Sequence, residues 1–413
     1  MKITENRVIN GLLKGFGEST SPEELKELLT QDIEIVAPTH RATEHDLWPA
    51  IWTLASVLER QMFGQVYIRC GLKEQLHAPI SLGTRCKFVD DAQSVAISIR
   101  LGDSTISQAV NIIYGDARLK KISVDEVLSD SHAVPSPIEC FLLAGYLGFY
   151  ALAKITGIPE YRLDLADKIL ALNYDYQLLK NKIKKTQGYT CIGLGQLGQA
   201  YLSLLYFLYR GDFSGREILL IDKDIFEEEN GRTQIMLPEN GNWLNINKVD
   251  YINEIVNTWG ANTTPNKKEI MWGWNKSEND PDIALVGLDN FETRRMVCAA
   301  GFEHIIESGV GTNMLQPRIS WHSIPGDAKL GSKLFPDIVL QIKENISKKL
   351  VTDLKKTPGE CGLVIFKNIS ATAPCLGIAA SAYALSELGS NKFTMGNACL
   401  WSPLLPFLRE ELI

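Results

Sequence analysis

Three spaced glycines between two apolar segments constrain the fold of this chain more than any other feature. They lie in Gly193-Leu-Gly195-Gln-Leu-Gly198, after the apolar run 189–193 and before the long apolar segment 199–210. This order predicts a strand, a tight turn and a helix. Two of the glycines permit a sharp turn with the backbone close to a ligand, and the third lets the helix pack closely on the strand. Backbone N–H groups at the start of such a helix can face a phosphate.

Acidic residues follow the next apolar run along the chain. Residues 218–221 are apolar and lead directly into Asp222-Lys-Asp224. In a nucleotide-binding α/β unit, a carboxylate at the carboxyl end of the second strand accepts a hydrogen bond from a ribose hydroxyl. The glycine segment and Asp222 together predict the opening of a nucleotide-binding domain.

Polar residues beyond this unit favour triphosphate chemistry over hydride transfer. An NAD-dependent oxidoreductase uses the same glycine turn and stays the alternative of another enzyme class. It has no need, however, of an asparagine, an arginine, a lysine and an aspartate in the segments that follow. An enzyme that cleaves a triphosphate uses such groups to hold phosphates and a metal ion. The residues concerned are Asn230, Arg232, Lys248, Asp289 and Asn290.

With these motifs the chain resembles the ThiF/MoeB/E1 superfamily, and within it the bacterial E1-like proteins of ubiquitin-like conjugation operons. The resemblance covers about residues 189–389, half of the chain. It implies a Rossmann-like α/β adenylation domain that uses ATP and Mg²⁺ to adenylate the C-terminal carboxylate of a ubiquitin-like protein. An E2-like protein would be a second partner if the acyl group is passed on. A sulfur carrier, a peptide or a tRNA as acceptor stays open, as does a scaffold that binds a ubiquitin-like protein without turnover.

The resemblance also implies roles for single residues. The three glycines correspond to the phosphate loop, Asp222 to the ribose acceptor, and Asp289 to the magnesium ligand. The family usually has Asn-x-x-Arg where this chain has Asn230-Gly-Arg232. The nucleotide-binding set is Gly193, Gly195, Gly198, Asp222, Asp224, Asn230, Arg232, Lys248, Asp289 and Asn290. The catalytic set is Arg232, Lys248, Asp289 and Cys361.

Eight cysteines are scattered along the chain without a CxxC pair, so the usual ligand spacing of a zinc ribbon is absent and no structural zinc is expected. Cys361 lies in a polar segment, with Gly362 directly after it and Lys355 and Lys356 before it. A thiolate needs access and nearby positive charge to act as a nucleophile. Cys361 is therefore the first candidate for thioester formation and Cys375 the second.

The N-terminal part repeats the order of strand, loop, apolar helix and strand between residues 33 and 69, but its loop and helix contain no glycine. A proline near a cysteine opens an apolar helix at Pro137 and again at Pro374. We therefore predict a degenerate, inactive adenylation-like domain over residues 1–172, a linker over 173–187, and the active domain over 188–413. The active domain includes a short crossover segment at about 326–360, with a helix at 338–354.

One chain would then correspond to a MoeB-like homodimer, and further oligomerisation stays open. Arg7 resembles the N-terminal arginine that reaches a partner's ATP in this superfamily.

The net charge of −7 argues against nucleic acid as the main partner, because phosphate binding needs a dense basic surface. No apolar run is long enough to span a membrane, and residues 1–6 lack the apolar core of a signal peptide. These features lead us to expect a cytoplasmic protein. Residues 395–413 are expected to form an amphipathic tail.

Overall fold

The computed structural model describes residues 21–101, 111–114, 122–123, 136–156, 175–238, 241–310, 318–335, 373–399 and 408–411. Arg7, Cys361 and the helix predicted at 338–354 lie outside these ranges.

The N-terminal half is built on a six-stranded sheet with the order β3-β2-β1-β4-β5-β6. Strands β1 to β4 pair in parallel, and β5 and β6 continue the sheet in antiparallel fashion. The strands are β1 (Ile33–Val36), β2 (Val66–Arg69), β3 (Cys86–Phe88), β4 (Ile97–Arg100), β5 (Asn111–Tyr114) and β6 (Ile122–Ser123). The helices are α1 (Pro22–Leu29), α2 (Trp48–Gln61) and α3 (Pro137–Ile155).

The C-terminal half carries an eight-stranded sheet whose order along its width is β14-β13-β12-β11-β10-β7-β8-β9. Its strands are β7 (Gly188–Ile192), β8 (Glu217–Ile221), β9 (Asn262–Asn266), β10 (Ile283–Val286), β11 (His304–Val310), β12 (Arg318–Ile324), β13 (Thr394–Cys399) and β14 (Leu408–Glu411). Its helices are α4 (Tyr176–Lys185), α5 (Gln196–Leu208), α6 (Lys248–Thr258), α7 (Phe291–Cys298), α8 (Ala328–Leu334) and α9 (Ala373–Ser386). This confirms the predicted Rossmann-like α/β fold of the C-terminal half.

The order of the parallel strands reverses next to β7. The chain runs from β7 outward to β8 and β9, and then returns to place β10 on the other side of β7. A reversal of this kind leaves a crevice at the carboxyl ends of the two central strands, which is where open α/β sheets bind ligands. The crevice here lies between the segment after β7 and the segment after β10.

The N-terminal sheet has the same reversal, because β2 and β3 lie on one side of β1 and β4 lies on the other. In both sheets an apolar helix joins the first strand to the second, α2 between β1 and β2 and α5 between β7 and β8. This shared order is what a duplicated unit would show. That the first half is a degenerate and inactive copy stays a prediction.

The two halves share one hydrophobic core. Every residue of α2 and of α9 is buried, as expected for helices covered on all sides. Helices α3 and α9 pack so closely that a β-carbon added at Gly145 would lie 2.7 Å from the carbonyl oxygen of Cys375. The hydroxyl groups of Tyr146 and Tyr383 lie 3.0 Å apart across the same interface. A layer of helices from both halves therefore separates the two sheets.

Several elements differ from the sequence-based expectations. Strand β9 contains Pro265 and was not predicted; it is an edge strand, where a missing N–H costs no ladder bond. Strands β13 and β14 extend the sheet where an amphipathic tail was expected. Helix α4, predicted as an exposed connection, buries Leu179 and Ile183, and Lys182 donates to the carbonyl of Ser390. Among the described residues, no helix is long and apolar enough to cross a membrane.

Candidate functional site

The glycine segment forms the tight turn between β7 and α5. Gly193 has a φ of +82°, which strongly favours glycine. A β-carbon at Gly198 would lie 2.0 Å from the carbonyl oxygen of Gly193, so only a glycine lets α5 start this close to the strand. Gly287, just after β10, packs against the same two residues, since its own β-carbon would lie 2.7 Å from the backbone nitrogen of Gly198. The ends of β7 and β10 are thereby held together.

Gly195 has no such steric reason to be glycine. Its φ is −73°, and a β-carbon placed there would meet no atom within 4 Å. It is the N-cap residue of α5, and no side chain caps the helix at this end. Open space in front of an uncapped helix N-terminus suits an anion, because the helix dipole and its first N–H groups favour negative charge.

Asp222 lies directly after β8 and shapes this turn. Its Oδ2 accepts a hydrogen bond of 2.6 Å from the backbone N–H of Leu194, and its Oδ1 accepts one of 2.8 Å from the N–H of Asp224. Burial raises the pKa of the Asp222 carboxyl, and the charge of Lys248 and these two N–H bonds offset part of the effect. The predicted ribose acceptor is therefore placed beside the glycine turn.

Lys248 is the first residue of α6 and is 9% exposed. Its backbone N–H donates to the carbonyl of Asp224, and its Nζ lies 3.3 Å from the Asp224 carboxylate. The structure thus brings a nearly buried ammonium group to the acidic end of β8. Lys248, Asp222 and Asp224 form one cluster at the carboxyl edge of the sheet.

Asn230 and Arg232 lie in the 3₁₀ turn Glu228–Arg232 and are occupied by protein contacts. The side chain of Asn230 accepts a hydrogen bond of 2.9 Å from the N–H of Glu227. The guanidinium group of Arg232 donates to the carbonyl groups of Glu59 and Met62 at the C-terminal end of α2, at 3.1 and 3.3 Å. Arg232, predicted to hold a phosphate, therefore lies in the interface between the two halves.

Asp289 is exposed and follows β10 by three residues. Asn290 accepts a hydrogen bond of 2.7 Å from the N–H of Thr293 and caps α7. Because Gly287 packs on Gly193 and Gly198, the Asp289 loop leaves the sheet beside the glycine turn. The structure brings the loop of the predicted magnesium ligand to the same edge as the phosphate loop.

Sequence reasoning missed a buried ion-pair network below this loop. Arg294 is 6% exposed, donates 2.5 and 3.1 Å hydrogen bonds to the carbonyl of Leu288, and forms an ion pair with Glu307. Glu307 also bonds to Nδ1 of His322 at 2.5 Å. The neighbouring positive charge of Arg294 and the hydrogen bond of His322 lower the pKa of Glu307 against the opposing effect of its burial. Arg294 thus anchors the residue that immediately precedes Asp289.

Three buried cysteines are poor candidates for nucleophilic attack. Burial raises the pKa of Cys191, Cys298 and Cys375 to about 12, and Cys375 also accepts a 3.1 Å hydrogen bond from Gln61. A thiol with so high a pKa forms almost no thiolate at neutral pH. Cys375, the second candidate for a thioester, is therefore disfavoured.

The edge fits a nucleotide triphosphate with a magnesium ion. There is open space at Gly195, Asp222 lies at the carboxyl end of β8 beside the glycine turn, and Lys248 carries a positive charge next to Asp224. Among the described residues, no group of three or more histidine, cysteine, aspartate or glutamate side chains could hold a metal ion by itself. Mg²⁺ is commonly held by one or two carboxylates together with substrate phosphates and water. A single exposed carboxylate such as Asp289 meets that requirement.

Comparison with known proteins gives a family match for the C-terminal half. Residues 187–392 match the family model described as the BilD C-terminal domain. A curated relative, the bacterial E1-like protein BilD of Collimonas sp. (strain OK412), is 25% identical over 199 residues. The match covers 48% of this chain and 43% of the relative, so the chain spans less than half the length of that relative.

The chain is also similar to solved structures of MccB and PaaA. The crystal structure of E. coli MccB is 13% identical, with a TM-score of 0.37, and the similarity covers 77% of this chain and 92% of that one. The crystal structure of E. coli MccB with ATP is 14% identical, with a TM-score of 0.34, and covers 77% and 95% of the two chains. The crystal structure of selenomethionine PaaA is 14% identical, with a TM-score of 0.34, and covers 68% and 86%.

The buried network predicts a large effect of a single charge removal. Glu307→Gln leaves the guanidinium group of Arg294 buried without its charge partner, and we expect the free energy of unfolding to fall by about 3–5 kcal/mol. Urea denaturation measures this loss. The double variant Arg294→Met with Glu307→Gln removes both charges and should recover most of the stability. Glu303→Gln is the control, because Glu303 is exposed and lies just before β11, the strand that contains Glu307. Equal stability of the Glu307 and Glu303 variants would contradict the assignment of Glu307 as the charge partner that stabilises the buried guanidinium group of Arg294.

Proposed function

Because the chain belongs to the ThiF/MoeB/E1-like superfamily, we propose that its C-terminal half adenylates the C-terminal carboxylate of a ubiquitin-like protein, using ATP and Mg²⁺. The observation that carries the proposal is the arrangement at the carboxyl edge of the sheet. There the fold places the open glycine turn, the cluster of Asp222 and Lys248, and the loop of Asp289 beside one another.

The proposed step is a nucleophilic substitution at phosphorus. An oxygen of the partner's carboxylate forms a bond to the α-phosphorus of ATP, and the bond between that phosphorus and the bridging oxygen to the β-phosphate breaks. The products are an acyl adenylate and pyrophosphate. A C-terminal carboxyl group has a pKa of about 3.3 to 3.7, so it is already ionised near neutral pH and needs no general base. The protein therefore has to supply orientation and positive charge.

We assign orientation of ATP and supply of positive charge to different residues at the edge of the sheet. The glycine turn and the N-terminus of α5 would hold the phosphates, and Asp222 would accept a hydrogen bond from the ribose. The Nζ of Lys248 lies 3.3 Å from the Asp224 carboxylate at the end of β8, and we assign to Lys248 the neutralisation of phosphate charge. Asp289 would hold a Mg²⁺ ion, which when bound neutralises charge on the leaving pyrophosphate.

Arg232 and Asn230 receive a supporting role in this proposal. The guanidinium group of Arg232 is bound to the carbonyl groups of Glu59 and Met62, and the side chain of Asn230 is bound to the N–H of Glu227. In this arrangement both residues hold the 3₁₀ turn in place beside the cluster.

The N-terminal half is proposed to bind no nucleotide. Its β1 leads into the 3₁₀ turn Thr39–Arg41 instead of a glycine turn. Arg41 forms a two-pronged ion pair with Asp46, with both hydrogen bonds at 2.9 Å, just before α2 begins. The segment that corresponds to the phosphate loop is thereby closed by its own side chains. This half would replace the second subunit of a homodimer within one chain.

The ubiquitin-like nature of the acceptor rests on the E1-like relative and on one surface feature. Met271 and Trp272 are 65% and 62% exposed. The indole N–H of Trp272 donates a 3.2 Å hydrogen bond to Glu292 in the first turn of α7, next to the Asp289 loop. Exposed large apolar side chains of this kind commonly mark a contact surface for another protein.

A second step would transfer the acyl group to Cys361. The thiolate sulfur would form a bond to the acyl carbon, the bond from that carbon to the phosphate oxygen of AMP would break, and AMP would leave with the electron pair. Lysine charge at positions 355 and 356 would favour the thiolate. In transfer to an E2-like protein, a thiolate of that protein would form a bond to the acyl carbon, and the bond from that carbon to the Cys361 sulfur would break and release the Cys361 thiolate.

Pyrophosphate exchange tests the first step. Wild-type chain should incorporate labelled pyrophosphate into ATP only when Mg²⁺ and a ubiquitin-like protein with a free C-terminal glycine are both present. Asp289→Ala removes the metal's anchor at an exposed position, and we expect at least about 100-fold slower exchange. Asp90→Ala, an exposed aspartate of the N-terminal half, is the matched control and should keep full exchange. Undiminished exchange in Asp289→Ala, or exchange without the partner, would contradict the proposal.

A gel assay tests the second step. Cys361→Ala should keep pyrophosphate exchange but lose the thiol-sensitive adduct with the ubiquitin-like protein on non-reducing gels, because only the thiol is removed. Cys86→Ala, a half-buried cysteine of the N-terminal half, should keep both. An unchanged adduct in Cys361→Ala would assign the nucleophile to another cysteine. No adduct in the wild-type chain would make Cys361 structural.

A further inference from the structure

One arginine of the N-terminal half, Arg60, contacts the C-terminal half next to the candidate site. Arg60, in the last turn of α2, is 3% exposed. Its Nε donates to the carbonyl of Gln234 at 2.7 Å, and its Nη2 donates to the carbonyls of Ile235 and Leu237, both at 2.8 Å. Its Nη1 donates to Ser56 within α2 at 2.8 Å. One guanidinium group thus binds three carbonyls of the segment 234–237, which follows directly on the 3₁₀ turn Glu228–Arg232.

The segment 234–237 is held on its other side by the first turn of α5. The side-chain oxygen of Gln196 accepts a 3.2 Å hydrogen bond from the N–H of Ile235, and that of Gln199 accepts one of 2.9 Å from the N–H of Met236. The amide nitrogen of Gln199 donates to the side chain of Gln234 at 2.6 Å and to the carbonyl of Leu194 at 3.0 Å. The segment therefore connects Arg60 with the residues that form the glycine turn.

The chemistry of the arginine side chain explains why arginine suits position 60 better than lysine. Arginine presents five N–H donors in a rigid planar fork, whereas lysine is a compact charge on a flexible stem. The fork of Arg60 reaches three carbonyls spread along one segment, from two different nitrogen atoms. The carboxylate of Glu59, 3.8 Å from Nη1, adds a negative charge beside the buried guanidinium group. Removing Arg60 would leave buried carbonyl groups without their donors, which is costly.

A second arginine crosses the same boundary in the opposite direction. Arg232, from the 3₁₀ turn, donates to the carbonyls of Glu59 and Met62 at the end of α2. The two arginines therefore join the end of α2 to both ends of the segment 232–237. A shift of α2 would move this segment, and with it the hydrogen-bond partners of Gln196 and Gln199.

We propose that Arg60 is a positioning residue through which the N-terminal half holds the segment 234–237 and, through Gln196 and Gln199, the phosphate-facing turn at the start of α5. The hydrogen bonds of Arg60 to this segment go to backbone carbonyls, so its effect on ATP would pass through the loop. This inference rests on the proposed function for its ATP-binding consequence. The hold on the loop itself follows from the contacts of Arg60.

Two measurements on the full chain test this role. Arg60→Gln should increase the hydrogen-exchange rate of the Ile235 and Met236 amides about tenfold, because the loop loses hydrogen bonds that anchor it. In calorimetric titration with ATP and Mg²⁺, the same variant should bind about tenfold more weakly, since displaced phosphate-binding groups lose orientation. Arg60→Lys keeps the charge but not the fork and should lie between wild type and Arg60→Gln in both measurements.

Arg69→Gln is the matched control. It removes an arginine from the same half, where Arg69 pairs with Glu34 at 2.8 Å within the N-terminal sheet and does not touch the segment 234–237. It should leave the exchange of Ile235 and Met236 and the affinity for ATP unchanged. Equal effects of Arg60→Gln and Arg69→Gln would make Arg60 merely a stabiliser of its half and overturn the proposal, as would wild-type exchange in Arg60→Gln.

The two readouts separate this proposal from the proposed function. A wild-type chain that binds no ATP would refute the function, whereas the exchange rates of Ile235 and Met236 would still decide whether Arg60 holds the loop. If Arg60→Gln does not fold, Arg60→Lys carries the same comparison against Arg69→Gln.

Discussion

The site depends on the close approach of three glycine backbones where the strand order reverses. Gly193, Gly198 and Gly287 pack so tightly that a β-carbon on any of them would come within 2.0–2.9 Å of backbone atoms of the others. This packing joins the end of β7 to the end of β10. It brings the glycine turn beside the loop of Asp289, although the two lie almost a hundred residues apart in sequence. Because no other residue allows this approach, the position of the Asp289 loop relative to the glycine turn follows from it.

The helix layer between the sheets gives the site its second support. Helices α2 and α9 are buried along their whole length, so the two halves form one continuous core. At the edge of this layer, Arg60 donates a hydrogen bond to a carbonyl of the C-terminal half, and Arg232 donates one to a carbonyl of the N-terminal half. The N-terminal half thus supports the site through the side chain of Arg60 and through the backbone carbonyls at the end of α2. A half that binds no nucleotide can still be required for nucleotide binding by the other half.

The sequence predicted local features well and long-range ones poorly. The strand, glycine turn and helix around Gly195 were predictable because a continuous pattern of apolar residues and glycines encodes them. Strand β9 was missed because Pro265 is tolerated only at a sheet edge, and edges are set by the whole topology. The direction of Arg232 and the network of Arg294 with Glu307 depend on residues far apart in the chain. Periodicity carries no information about such contacts.

Gly195 offers the most direct test of the candidate site, because its added β-carbon would point into open space at a φ of −73° that any residue adopts. Wild-type chain and Gly195→Val are titrated with ATP and Mg²⁺ by calorimetry, and their thermal unfolding is compared. We predict one ATP site per wild-type chain. We predict none in Gly195→Val, with unfolding unchanged, because the new side chain fills the phosphate space without disturbing the protein. Two sites in the wild type, or undiminished binding by Gly195→Val, would contradict the account.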